Sequence, residues 1–135
     1  MNKQFFISLL FALITFVILG GLFGNFVFLP EFATWHEAYP DAVRETPDFV
    51  SGFVLGLLQL IAFVVLLPKL QITSGSGAAM FGAVYSVVIW LIVDLQMVSV
   101  PNIVSYEYVL KDALLSAVMG AILGVVVSWS QRRFA

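Results

Sequence analysis

The sequence predicts an all-α integral membrane protein, a bundle of four transmembrane helices forming one domain over residues 1–135. Two observations carry that expectation. Of the 135 residues 61% are hydrophobic and 10% charged, and the mean hydropathy is +1.06, whereas a soluble domain carries about 45–50% apolar and about 25% charged residues. The apolar residues also fall into four runs, about 5–29, 47–67, 78–98 and 108–129, each close to the roughly 20 residues that cross a bilayer.

The first run, Phe5 to Leu29, contains 25 residues without a charge, enough for a full span with room for tilt. It is too long for a signal peptide and lacks a small-x-small cleavage site. Pro30 is expected to end the helix, because proline has no N–H to donate. Residues 30–46 then form a polar outer loop. Glu31 to Asp48 holds five of the eight acids, together with Arg44 and the only histidine, His36. Phe32, Trp35 and Tyr39 recur at i, i+3 and i+7, which suits one helical face lying along the membrane interface.

Thr46-Pro47 reads as an N-cap followed by proline at the first helical position. The second span therefore starts near Pro47, carries Gln59 as its one strongly polar interior side chain, and stops at Pro68-Lys69. Thr73-Ser74-Gly75-Ser76-Gly77 reads as a flexible connector; a phosphate loop would end in Gly-Lys-Ser/Thr and come after a strand. The third span ends at the turn Ser99-Val100-Pro101-Asn102. Tyr106 and Tyr108 mark the interface again, as Trp35 and Tyr39 do on the other connection. The fourth span runs to Trp129, and Arg132-Arg133 lie just beyond it.

Lipid tails are as apolar as leucine, so helices in a bilayer associate through close backbone approach at small residues. The fourth span carries Ser116, Gly120, Gly124 and Ser128 in an unbroken i, i+4 series. The third carries Ala78, Gly82 and Ser86, the second Gly52 and Gly56, the first Gly20 and Gly24. The four-residue series predicts a tight contact, within the chain or across a homo-oligomer.

Composition excludes several functions. With no cysteine there is no disulfide, thiol chemistry or thiolate metal site. A net charge of −2 without a basic run argues against nucleic acid. His36 has no second histidine to complete a metal site, and neither a metal nor a cofactor is expected. The thirteen phenylalanines and four methionines are spread through all spans, as lipid-facing and packing residues would be. No Gly-x-Ser-x-Gly turn or nucleophile–base set is visible.

Chemistry therefore rests on Asp94 and Asp112, each about one turn inside its apolar run, where a carboxylate is costly. An antiparallel hairpin would bring them to similar depth. Two carboxylates in one low-dielectric site repel, so the pair is expected to keep a proton at neutral pH and could relay it or bind a cation. Lys111 and Arg44 lie on the same side and could neutralise one acid, while Glu107, a third ion or proton candidate, sits at i, i+4 from Lys111 as a surface ion pair.

Asp94-Leu95 and Asp112, the Gly82-Ala83 pair and the Pro68–Gly77 connector resemble a family of bacterial four-helix membrane proteins grouped as a domain of unknown function. In that family the third span ends in aromatic-Asp-Leu-Thr-Asn, and a second aspartate precedes Trp-Gly in the fourth. Val93, Gln96-Met97 and Leu115-Ser116 replace the flanking residues here. The resemblance implies the four-helix architecture and interest in the two aspartates, and no reaction.

Three functions remain open at this point, and the sequence favours the first, because a binding module needs nothing beyond the visible glycine faces and acidic loop. One is a non-catalytic membrane partner or assembly protein, docking another membrane protein through its glycine faces and acidic loop. A second is a cation- or proton-coupled carrier or channel subunit using Asp94 and Asp112. A third is a membrane enzyme acting on a lipid near the outer leaflet.

Four spans put both termini on one side. That side collects Lys3, Lys69, Arg132 and Arg133, against Arg44 and Lys111 opposite, so the positive-inside rule places both termini in the cytoplasm of a bacterial inner membrane. Single cysteines at Asp41 and Ser74, probed with an impermeant thiol reagent on intact cells, test this. Asp41→Cys is expected to react and Ser74→Cys to be protected; the reverse pattern overturns the orientation.

Overall fold

The computed structural model describes residues 2–135 and is all-helical. Its elements are α1 (Lys3–Phe23), a five-residue π turn (Gly24–Phe28), α2 (Leu29–Ala38), α3 (Phe49–Lys69), α4 (Gly75–Ser99) and α5 (Tyr106–Arg133). Because α1, the π turn and α2 form one continuous rod, Lys3–Ala38, four helices are long and apolar enough to cross a membrane. The rods run up and down. Lys3, Lys69 and Arg132-Arg133 share the terminal end, and the 39–48 and 100–105 connections share the loop end.

The first helix does not stop at Pro30. Proline deletes its own N–H, and its ring strikes the carbonyl four residues back in a regular helix. Here the backbone widens just before it: the Leu29 N–H reaches the Gly24 carbonyl, five residues back. The Asn25 side chain donates to the Gly21 carbonyl at 2.8 Å, satisfying a group in the turn before. The π turn thus lets the rod pass the proline, and most of the first half of the expected loop is α2.

The other ends move by one to four residues, and Gly75-Ser76-Gly77 of the expected connector form the first turn of α4 because Ser74 caps it. The N-cap of α3 is Asp48, whose carboxylate accepts the Val50 N–H at 3.1 Å. Thr46 does not fill that role, and Pro47 lies outside the helix. Hydrogen bonds from the Ser51 hydroxyl and the Val50 N–H hold the Asp48 carboxyl below its usual range. The cap's stabilisation is therefore present above the ordinary carboxylate pKa and lost as pH falls through the lowered value. At the other end Pro68 sits within the last turn, and the chain leaves the helix at Gln71, whose φ of 57° is left-handed. Ser74 caps α4 through the Gly77 N–H, and Ser105 caps α5 through the Tyr108 N–H.

The closest helix pair is α4 and α5, and the reason is steric. A Cβ placed on Gly82 would land on the Gly120 carbonyl. One on Gly120 would land on the Gly82 carbonyl and the Ser86 hydroxyl, and one on Gly124 on the Ala78 carbonyl. The two backbones touch where side chains are missing. Ala78, Gly82, Ser86, Ser116, Gly120, Gly124 and Ser128 are all buried.

The glycines of the other spans behave differently. A Cβ on Gly20, Gly24 or Gly52 would meet nothing within 4 Å, and only Gly56 is closely approached, by the Phe16 ring. The small-residue motifs expected to pack the first two spans are thus mostly unused within the chain.

The core lies toward the terminal end. Ala12 of α1, Leu60, Phe63, Val64 and Leu67 of α3, Ala78 of α4, and Leu123 and Val127 of α5 form one buried cluster. Phe63 stacks on Phe81 at 5.6 Å, and the Tyr85 hydroxyl donates to the Gln59 carbonyl at 3.0 Å. Polar ties close the same end: Ser130 to Ser8 at 2.8 Å, Gln131 to the Val64 carbonyl at 3.1 Å, and Arg132 to the Thr73 carbonyl at 2.6 Å. Toward the loop end α3 parts from the bundle, and every residue from Asp48 to Leu55 is exposed.

Gly82→Leu or Gly120→Leu should therefore force α4 and α5 apart, costing at least the about 1–3 kcal/mol typical of overpacking. Gly20→Ala and Gly52→Ala should be neutral or slightly stabilising, since alanine is the better helix former. Thermal melting in mild detergent measures both; equal effects at Gly120 and Gly20 would contradict the seam.

Candidate functional site

The seam carries the two aspartates with it. Asp94 lies five residues before the end of α4 and Asp112 six residues after the start of α5. At about 1.5 Å per residue both sit roughly 8–9 Å below the loop-end helix termini. They are 6% and 4% exposed, and each is a neighbour of the other across the seam. An ionised carboxylate is acceptor-only, so two of them side by side repel unless a proton or a cation comes between them. The Ser116 hydroxyl, one turn deeper, donates to Asp112 Oδ1 at the long distance of 3.5 Å.

No basic side chain neutralises the pair. Lys111 makes the one ion pair among the described residues, with Glu31 of α2 at 2.5 Å. The expected i, i+4 partner, Glu107, is therefore displaced by a residue 80 positions away, which α2 delivers only because the rod continues through Pro30. Arg44 lies exposed in the 39–48 connection.

An apolar cluster covers the loop-end side of the acids. Val104, Tyr108 and Val109 are buried, packed by Leu91, Met97 and Val98 of α4, by Ile103, and by Phe28 and Trp35 from the first rod. The Trp35 and Tyr108 rings meet edge to face at 4.7 Å, and Phe28 meets Tyr108 at 6.4 Å. Tyr108 lies one turn before Asp112 on α5.

The four expected interface anchors thus divide. Tyr39 and Tyr106 are 43% and 73% exposed. Tyr108 is buried and Trp35 packs on it, so these two belong to the site. Spacing does not separate their roles, because Tyr106 and Tyr108 differ only in which way they face at the start of α5. His36 closes the chain after α2, its Nδ1 2.7 Å from the Val43 carbonyl. No group of three histidine, aspartate or glutamate side chains converges among the described residues.

Two elements of the site are not legible in the sequence: Glu31, expected in a loop, and the Phe28–Trp35 wall. A proline preceded five residues earlier by Asn25 and six by Gly24 is the available signal. No family model matches the chain, and neither the curated proteins nor the solved structures give a match.

If the two carboxyls form one unit, Asp94→Asn should change how Asp112 titrates, and Asp112→Asn how Asp94 titrates. Infrared titration of the carboxyl bands reads this directly. Identical curves with and without the partner would make them two independent groups.

Proposed function

We propose that this is a small multi-pass membrane protein whose Asp94–Asp112 pair takes up and releases a proton, exchangeable for a monovalent cation, as the coupling site of a carrier or channel subunit. One observation supports this above the others: two carboxyls, each more than nine-tenths buried, face each other with no lysine or arginine bound to either. A purely structural pair of buried acids would be expected to acquire a cationic partner, since an uncompensated buried charge is costly. Here the nearest lysine is committed to Glu31. Ionisable residues retained inside a span in this way commonly line ion or proton pathways.

Geometry also suggests on which side the pair exchanges. Toward the terminal end the α4–α5 seam is backbone against backbone at Gly82–Gly120 and Ala78–Gly124, which leaves no width for a file of water. The side left for exchange is therefore the loop end, once the apolar cluster there opens, and passage across the membrane requires α4 and α5 to part. With both termini cytoplasmic, as the lysine and arginine distribution favours, the pair exchanges with the outer side of a bacterial inner membrane.

A second reading, a partner that docks another membrane helix, draws on α3. Phe49, Val50, Phe53, Val54 and Leu55 are between 48% and 75% exposed on all sides of the helix, and Gly52 and Gly20 have nothing against them.

Proton release distinguishes the two. Adding Li⁺, Na⁺ or K⁺ to purified protein in weakly buffered detergent should release about one proton per chain. Asp94→Asn and Asp112→Asn should each abolish it. Proton uptake between about pH 4 and 9 that is the same in the double Asn variant as in the native chain would overturn the coupling site.

A further inference from the structure

The continuation of the first rod past Pro30 gives the acid pair a cover that is mechanically separate from the hairpin holding it. α2 touches α5 through two contacts of different chemistry. Glu31 pairs with Lys111 at 2.5 Å, and Trp35 packs edge to face on Tyr108 at 4.7 Å. Both partners flank Asp112, Lys111 directly and Tyr108 one turn before it.

Below these contacts the rod is weak. The π turn replaces i→i+4 bonding at Gly24–Phe28, and π turns inside helices frequently occur at functional sites. Pro30 removes a further backbone donor. Gly20, Gly21 and Gly24, on the approach to the turn, have no neighbour within 4 Å of a Cβ position, so the rod is unpacked at those glycines up to Phe28, whose ring meets Tyr108. Beyond α2 the chain to Asp48 is exposed apart from Val43 and Pro47, which are partly covered, and α3 is unpacked as far as Leu55. Neither the 39–48 connection nor the start of α3 therefore clamps the far end of α2.

We propose that α2 is a hinged lid over the Asp94–Asp112 pair, latched by Glu31–Lys111 and Trp35–Tyr108 and swinging on the Gly24–Phe28 turn. The inference rests on the reading of the pair as the exchanging site, and it adds the element that controls access. The closed state withdraws Phe28 and Trp35 into the apolar cluster over the acids; the open state admits water to them from the loop end. Lys111 gains a second role, since releasing Glu31 frees its ammonium beside Asp112. Lid opening and discharge of the pair are thereby linked through one lysine.

The chain has no cysteine, so nitroxide pairs can be placed at Ala38→Cys on the lid and Val100→Cys on the hairpin turn, both exposed positions. In lipid nanodiscs the native background should give one dominant spin–spin distance. Glu31→Gln should enlarge a longer-distance population by up to about fivefold, the scale of a partly exposed ion pair, and Glu31→Gln with Trp35→Ala should make it dominant. The charge swap Glu31→Lys with Lys111→Glu should restore the native distribution, which a merely misfolded variant would not.

Labelling of Asp94 and Asp112 by a water-soluble carbodiimide, read by peptide mass spectrometry, should rise in step with that population. An unchanged distance distribution in the double variant overturns the hinge. A lid that opens without faster labelling shows that α2 moves but does not guard the pair, and also overturns the proposal. Both outcomes leave the carboxyl coupling measured by infrared titration untouched, so failure of the lid and failure of the site are separable.

Discussion

The contact on which the rest of the structure depends is the meeting of two backbones at Gly82 and Gly120. A bilayer offers no hydrophobic force between helices, so association needs close packing and polar contacts. Four glycine and alanine positions supply the first by keeping bulky side chains out of the seam. Because α4 and α5 touch there, their loop-end turns stay near each other, and Asp94 and Asp112 become mutual neighbours that lipid does not reach. The same contact closes the path below them. A single geometric fact thereby makes the pair and closes the seam on its terminal side.

The remaining helices are arranged around that hairpin unevenly. α1 lies along α5 and ties to it by Ser8–Ser130 and Gln4–Gln131 at the terminal end. α3 packs through Leu60, Phe63, Val64 and Leu67 and then diverges. Buried area and polar ties both concentrate at the terminal end, while the loop end contains the π turn, the unpacked half of α3 and the acids. Stability and chemistry are thus partitioned along the membrane normal. Elements that must move are generally drawn from the less stable part of a structure, and here that part surrounds the carboxyls.

Electrostatics obeys the same division. Each buried carboxylate would cost several kcal/mol if charged and alone. A proton shared between the two would lower the number of buried charges from two to one without introducing a cation. Lys111 stands next to Asp112 in sequence but points to Glu31, so the cation nearest the pair is held on its rim. An arrangement with Lys111 turned inward would give a quiet structural ion pair; its outward commitment leaves the pair able to change its protonation.

The sequence by itself determined the four membrane-crossing helices, because their hydropathy is a local property that needs no partner. It also determined the close-packing face of α5, since an i, i+4 run of small residues can face only one way on a helix, though not that α4 meets it, and the matched depth of the two aspartates, which comes from counting residues to the turn. Only the tertiary structure decided which glycines are used: Gly20 and Gly52 carry the same pattern as Gly82 and Gly120, but a pattern cannot say whether a neighbour arrives. It also decided that Tyr108 is buried while Tyr106 is exposed, and that Lys111 binds Glu31 across 80 residues and not Glu107 across four. The fate of Pro30 belongs with these. A lone proline removes one hydrogen bond in any chain, and the helix survived it because the turn before it could widen and the α5 surface held α2 beyond it.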